Sequence, residues 1–470
     1  VYEFIFGGNQ MNTELDSKAY IDEYIARARA AQREFEKFSQ EKTDEIVMAI
    51  GKTVHDNAGY LAELAVEETG MGSVEDKIAK NKMKARMIWN NLKGKKSKGI
   101  IERDEAAGIT KVAKPMGVVA AITPCTNPIV TPMSNAMFAL KGGNAVIITP
   151  HHKAIRSSAK TVELINASLA KLGAPEHLIQ IIEQQSRENT KNLISSADVV
   201  IATGGMGMVK AAYSSGKPAL GVGAGNVQCI VDTDADIAAA APKIIDGRTF
   251  DNGIICSAEQ SVILPESRYE EMIREFEKNG AFVVTRPEDK EALRSAMFED
   301  GEMSRHCIGQ SVQTVARLAG LPVPEGTRVI IAEADGTGKT DLLAKEKMCP
   351  VLAAYKYKTF EEAVEIARTN LEAEGKGHSV SVHSNNREHI EYAGKKLCVS
   401  RFLINQASAL SAGGSFFNGL PPTNTMGCGS WGNNSLSENL TYTHLINISR
   451  IAYLMQGNSV PADEELWRLG

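Results

Sequence analysis

Short apolar runs closed by glycine or proline alternate with helical stretches through most of this chain, and that alternation limits the folds open to it. Gly117 to Ile122, Ala145 to Ile148, Leu178 to Ile182 and Asp198 to Ala202 are such runs. They lack the apolar–polar alternation of a half-exposed strand. A strand that is apolar on both faces belongs in a parallel sheet covered by helices on both sides. A helical stretch around Ala159 to Leu172 separates two of them. A second region of this type starts near Ile244, with strands expected near Ser261 to Leu264, Val329 to Ala332, Val351 to Tyr355 and Ser379 to His383. Its helix is expected around Phe360 to Leu371. The acidic stretch Asp232 to Asp236 places the boundary between the two regions near 235–245. Before the first strand the chain reads as helices. Tyr20, Ile21, Tyr24, Ile25 and Ala28 share one helical face, and Ile46, Val47, Ile50, Val54, Leu61 and Leu64 recur at helical spacing. The Gly-rich stretch Gly413 to Gly432 reads as a loop packed near a site.

Composition narrows the function classes. At 470 residues the chain can bury a sizeable core. Lys plus Arg is 52 against 57 for Asp plus Glu, a net charge of -5, so nothing calls for nucleic acid or an anionic membrane. No apolar run reaches the roughly 18 residues of a membrane span. The seven cysteines, Cys125, Cys229, Cys256, Cys307, Cys349, Cys398 and Cys428, are odd in number and widely spaced. That pattern argues against a disulfide framework or a metal site and fits a reducing cytoplasm. Val1 to Gln10 precede Met11 and lack a signal-peptide pattern; they read as a cloning remnant, with residues 1–16 a flexible extension.

Two glycine-rich segments imitate a dinucleotide fingerprint and miss it. Gly205-x-Gly207 has Lys210 in the third glycine position, and Gly221-x-Gly223-x-Gly225 has the wrong spacing. Gly336 to Thr340 imitates the end of a P-loop, but Glu333 holds the place of its first glycine, so it reads as a surface turn. Phe250-Asp-Asn-Gly-Ile-Ile-Cys256-Ser is more informative. A nucleophilic cysteine needs access and a thiolate fraction, although its free pKa is about 8.5. Alone, such a cysteine is more often a buried structural residue. Asn127, in Thr123-Pro-Cys-Thr-Asn-Pro128, follows an expected strand end, where sites form in α/β sheets. Its amide could hold an oxyanion; alone, Asn-Pro reads as an Asx turn. Glu346, in Glu-Lys-Met-Cys-Pro350, could hold a ribose hydroxyl, and alone reads as a solvated charge.

Together these segments resemble the aldehyde dehydrogenase superfamily, and specifically its CoA-acylating branch, from about Ser17 to Met455. The resemblance implies an α/β fold of aldehyde dehydrogenase type, a Rossmann-type cofactor domain plus an α/β catalytic domain. The implied division is a helical N-terminal region and cofactor domain over 17–238, a catalytic domain over 239–425, and a C-terminal segment, 426–470, returning to the cofactor domain and an oligomer interface. Phe250 to Ser257 is similar to the nucleophile segment, which makes Cys256 the nucleophile, and the Asn127 segment resembles the oxyanion motif. Ala139 to Asn144 with the strand to Pro150 is similar to the adenosine-ribose segment, Thr203 to Gly205 to the pyrophosphate segment, and Glu346 to Pro350 to the nicotinamide-ribose segment. Gly427 to Gly432 with Ser437 to Asn439 is similar to the acylating branch. The implied cofactor contacts are Thr123, Pro124, Thr149, Pro150, His151, His152, Gly204, Gly205, Gly221, Gly223 and Glu346, with His378 as a proton handler or a structural histidine.

Departures from the family pattern sharpen the expectation. Hydrolytic members carry a glutamate base where this chain has Gly221. Without it water is a poor acyl acceptor, and the resemblance implies CoA instead. Many NAD-preferring members carry Lys-Pro-x-Glu at the ribose, whereas this chain reads Thr149-Pro150-His151-His152-Lys153. Losing the carboxylate favours NADP, with NAD as the alternative. The nearest resemblance is to CoA-dependent succinate semialdehyde dehydrogenases; acylating sulfoacetaldehyde dehydrogenases are similar, and acetaldehyde or butanal enzymes compete. Arg248 and Arg401 are the expected anchors for an anionic tail, against an ion-pair role for either. A homodimer or dimer of dimers is expected, with no metal, no fused alcohol dehydrogenase domain and no targeting helix for a bacterial microcompartment.

Overall fold

The computed structural model describes residues 3–469, with side chains from Asp16 onward except Met206. Val1 and Tyr2 of the expected remnant lie outside the described residues. The backbone of the rest runs into the first helix, Glu3–Phe35. Three further helices follow: Gln40–Asp56, Ala58–Thr69 and Val74–Leu92. Serine side chains start two of them. Ser39 accepts from Lys42 N–H at 3.2 Å and Ser73 from Asp76 N–H at 3.1 Å, satisfying orphan donors at the first turn.

Two parallel sheets carry the fold. The first has five strands in the order Ile179–Ile181, Ala145–Pro150, Val118–Thr123, Val199–Thr203, Ala219–Val222. Val118–Thr123, Ala145–Pro150 and Val199–Thr203 are buried at every position, which is why their sequences show no alternation. The helix Val130–Lys141, buried along its whole length, packs between this sheet and the helices before it. The chain runs outward from Val118–Thr123 on one side and returns to its other side at Val199–Thr203. That reversal opens a crevice at the strands' carboxyl ends, the place where doubly wound sheets bind ligands. The five-strand order is therefore of Rossmann type although the glycine fingerprint is missing.

The second sheet has seven strands, in the order Ala281–Val284, Val329–Glu333, Val351–Tyr357, Glu259–Pro265, Val227–Val231, Gly377–His383, Val399–Ile404, all parallel. Val227–Val231 already belongs to it, so by sheet membership the change of region falls between Val222 and Val227, earlier than the expected 235–245. The acidic stretch instead leads into the helix Ile237–Thr249, which Asp236 caps. Near the C-terminus, Ile446–Ala452 pairs with Ile109–Pro115 in a separate three-stranded antiparallel sheet, and Leu440, Tyr442 and Leu445 join the first sheet's core. Among the described residues no helix is long and apolar enough to cross a membrane.

Candidate active site

Cys256 lies in the short link between the turn Phe250–Gly253 and the strand Glu259–Pro265. Asp251 and Asn252 in that turn both have φ of 53°, the left-handed region that costs energy for residues with a Cβ. The strain is held by bonds from outside. Asp251, buried, accepts from Ser73 N–H at 3.0 Å, Lys77 Nζ at 3.0 Å and Lys80 Nζ at 2.5 Å, and its own N–H donates to Asp76 at 2.8 Å. Asn252 donates to the Gly309 carbonyl at 3.0 Å. Burial pushes the Asp251 carboxyl up, but Lys80 and Lys77 outweigh it and hold it below the usual range. The nucleophile turn is thus bolted to the helix Val74–Leu92.

The same helix sets Asn127. Lys80 Nζ also donates to Asn127 Oδ1 at 2.7 Å. An ammonium cannot accept, so this contact fixes which end of the amide is oxygen. The Asn127 Nδ2 keeps only a long 3.4 Å contact to Thr126 Oγ1 and stays available as a donor. Asn127 and Cys256 line one cleft of about 720 Å³, as the sequence led us to expect of partners in one reaction.

Behind Cys256 the packing is close. A Cβ on Gly225 would fall 1.9 Å from the Cys256 carbonyl oxygen and 3.3 Å from the His378 ring, so only glycine lets this segment lie against the nucleophile. His378 is buried, with Nδ1 3.0 Å from Ser379 Oγ. Burial first and Arg401 second hold it well below its usual pKa, so it is a neutral imidazole. Burial, then Glu374, push the Glu346 carboxyl up to about 8, and its backbone N–H donates to Glu374 at 2.8 Å. Burial pushes the Cys256 thiol up to about 12, with Glu346 and Cys428 adding to the rise and Arg401 opposing it.

Neither arginine expected to bind an anionic tail faces the cleft. Arg248 is fully buried; its guanidinium donates to the carbonyls of Glu259 and Gly253, each at 2.8 Å, and of Lys347. It holds the nucleophile turn against the strand Glu259–Pro265. Arg401 is 2% exposed and donates to Ser379 Oγ, Asn439 Oδ1 and the carbonyls of His378 and Gly427. Both donate inside the protein from both terminal nitrogens and neither lines the cleft, although the buried Arg248 Nε has no partner. The cations that do line the cleft are Lys80 and Lys84. The sequence offered a signal for them, since Lys77, Lys80 and Lys84 recur at helical spacing, but such a stripe ordinarily reads as a solvated face.

Most of the expected cofactor contacts gather at the carboxyl ends of the first sheet, while Glu346 precedes the second-sheet strand Val351–Tyr357. Thr123 ends one strand and Thr149 and Pro150 end its neighbour, with Pro124, His151 and His152 just beyond. Gly204 and Gly205 precede the helix Met206–Tyr213, and open space lies where their Cβ atoms would stand. The buried Thr123 hydroxyl has no protein partner. An open helix N-terminus and an orphan hydroxyl at a strand-order reversal fit a dinucleotide. A second cleft, about 660 Å³, is lined by Cys125, Thr126, His151, His152, Lys153 and Arg305 among others. Gly221 stands apart from these. A Cβ there would meet Tyr213 and Val209 at 2.8 Å, and its N–H already donates to Tyr213 Oη at 2.8 Å. A side chain at this position has no room without moving both neighbours.

Residues 7–423 match the model of the aldehyde dehydrogenase family. The chain is 57% identical to a succinate-semialdehyde dehydrogenase (acetylating) of Clostridium kluyveri, over 96% of this chain and 100% of the relative. An acetylating aldehyde dehydrogenase from Geobacillus thermoglucosidasius superposes with a TM-score of 0.92 at 38% identity, covering 96% of this chain and 99% of that one. A propionaldehyde dehydrogenase of Rhodopseudomonas palustris, solved with CoA bound and a cysteine acylated, superposes with a TM-score of 0.82 at 28% identity, covering 92% and 97%.

Proposed function

This chain belongs to the aldehyde dehydrogenase family, and from that premise we propose that it interconverts an aldehyde and its acyl-CoA with NADP, or with NAD as the alternative cofactor. The observation that carries this reading is the pairing of Cys256 and Asn127 in one cleft, with the position of a hydrolytic base closed at Gly221.

Cys256 adds as thiolate to the aldehyde carbonyl. The oxyanion that forms is held by Asn127 Nδ2, whose orientation Lys80 fixes, and by the Cys256 N–H. Thr123, Thr149, His151, His152, Gly204, Gly205 and Glu346 would hold and orient NADP, whose chemistry at this point would be to take up the hydride. Cys256 is left as a thioester, which a CoA thiolate takes over. His378, neutral and next to the Gly225 segment, would handle the CoA thiol proton, its alternative being a structural histidine. The favoured aldehyde carries an anionic tail, succinate semialdehyde first, in keeping with the Clostridium kluyveri relative. Sulfoacetaldehyde is the anionic alternative, and acetaldehyde and butanal are the neutral ones. Tyr453, Leu454, Val460 and Trp467 leave an apolar, exposed C-terminal segment beside the antiparallel sheet, which suits a homodimer or a dimer of dimers.

A steady-state panel tests the reading: the four aldehydes, each with and without CoA, with NAD and with NADP. The expected result is CoA-dependent turnover with succinate semialdehyde and NADP leading. Equal turnover without CoA would contradict it.

A further inference from the structure

Three residues after Cys256, at the head of the strand Glu259–Pro265, stands a fully buried carboxylate that the reaction above does not use. Glu259 Oε1 accepts from the Ser408 N–H at 2.5 Å, across 149 residues of sequence. Ser408 opens the helical turn Ser408–Ser411, and Ala409, Leu410 and Gly413 line the cleft beside Cys256. The carboxylate thus ties the strand that follows the nucleophile to a wall of its cleft. The far end of that wall is held separately: Lys84 Nζ donates to the Gly413 carbonyl at 2.9 Å and Asn439 Nδ2 to the Ala412 carbonyl at 3.0 Å. Neighbouring elements are fitted around Glu259. A Cβ on Gly247, in the helix Ile237–Thr249, would fall 2.1 Å from Glu259 Oε2, so a glycine stands where the carboxylate packs. Arg248 Nη1 donates to the Glu259 carbonyl at 2.8 Å and fixes its backbone. Oε2 has no partner among the described residues, and a buried charge left partly unmatched is costly. Burial pushes the carboxyl up to about 7, against the pull of the Ser408 N–H, its own N–H, Arg248 and the Ala409 N–H. A leucine would avoid that cost but would leave the Ser408 N–H without its acceptor.

We propose that Glu259 is a positioning residue for the aldehyde, holding the Ser408–Gly413 wall in register with Cys256 so that the bound carbonyl meets the sulfur. The inference rests on the Cys256 reaction proposed above and adds one residue to it. Glu259 does not itself line the cleft, so it acts through Ser408 and the two residues after it. Ala409 and Leu410 carry no charge, so the effect falls alike on aldehydes with charged and with neutral tails.

The test compares wild type with Glu259→Ala, Glu259→Gln and Gly247→Ala, each assayed with CoA and NADP on succinate semialdehyde and on butanal. Glu259→Ala is expected to raise KM about tenfold or more for both aldehydes, the loss of one charge-assisted bond, while kcat stays within about threefold. Glutamine keeps an acceptor at Oε1 and should recover part of that KM. Gly247→Ala leaves Glu259 in place but displaces its carboxylate, and should raise KM in the same sense by less; a helix favours alanine over glycine, so the substitution does not itself loosen Ile237–Thr249. Hydrogen exchange read by mass spectrometry follows the tie without turnover. Residues 406–414 should exchange faster in Glu259→Ala, with the strand Val118–Thr123 unchanged. An unmoved KM in a folded Glu259→Ala, or a loss in kcat alone, would overturn the positioning role. Should Glu259→Ala fail to fold, Gly247→Ala decides the matter by the same two criteria. Wild type without CoA-dependent turnover would overturn the Cys256 reaction itself, and the exchange result would still show whether the tie exists.

Discussion

The two clefts differ in the charge they gather. The one containing Cys256 has mostly apolar walls and a single cation without a carboxylate partner, Lys84. The one at the end of the first sheet gathers His151, His152, Lys153 and Arg305, beside Cys125, Thr126 and the apolar Met71, Ile308 and Met348. A short aldehyde with at most one charge suits the first. NADP and CoA, each a polyanion, suit the second. The nucleophile and its oxyanion donor both line the first.

Mutations of the nucleophile and its partners should have the largest effects. Cys256→Ala should lower CoA-dependent turnover by about 10⁴-fold or more while leaving NADP binding, read by fluorescence titration, near the wild-type value. Retained turnover would remove the thioester from the mechanism. Asn127→Ala should cost about 10²- to 10³-fold in kcat, the usual loss for one oxyanion donor. Lys80→Met should share part of that loss, because Lys80 fixes the amide, and it should appear in kcat more than in KM. A loss confined to KM would separate Lys80 from Asn127.

The pH response sharpens the contrast next. Burial and Glu346 hold the Cys256 thiol up at about 12, so without cofactor the thiolate fraction is small and grows as pH rises. Alkylation by iodoacetamide should therefore climb about tenfold per pH unit between pH 7 and 9, and Glu346→Gln should speed it at a given pH. A plateau below pH 9 would contradict the buried-thiol picture. On the cationic side, removing Lys153 and Arg305 should weaken NADP by about tenfold relative to NAD, by direct titration. Equal effects on both would detach these cations from the 2′-phosphate. Arg248→Met should have the least selective outcome: a melting temperature lowered by the loss of its buried bonds to carbonyls, about 2 kcal/mol or more, with the ratio of succinate semialdehyde to butanal activity unchanged.

Much of this was legible in the sequence, and for a physical reason. Strands buried on both faces announce themselves as unbroken apolar runs, so Val118–Thr123, Ala145–Pro150 and Val351–Tyr357 were readable to within a few residues. Val227–Val231 was not, because membership of one sheet or the other depends on pairing that no local pattern encodes. Cys256 and Asn127 were readable because their motifs are contiguous. The arginines misled because residue type alone does not tell a cation facing a ligand from one facing carbonyls. Lys80, Asp251 and Gly225 were missed for a related reason. Their roles exist only when segments more than 30 residues apart meet, as Lys80 and Asp251 do across a separation of 171.

The most direct test of the central claim is the mass of the intact protein during a single turnover. Given succinate semialdehyde and NADP without CoA, the protein should gain one succinyl group on Cys256, and added CoA should remove it as succinyl-CoA. Free succinate released without CoA at the rate seen with it, or an adduct on another residue, would contradict a Cys256 thioester that only a thiol discharges.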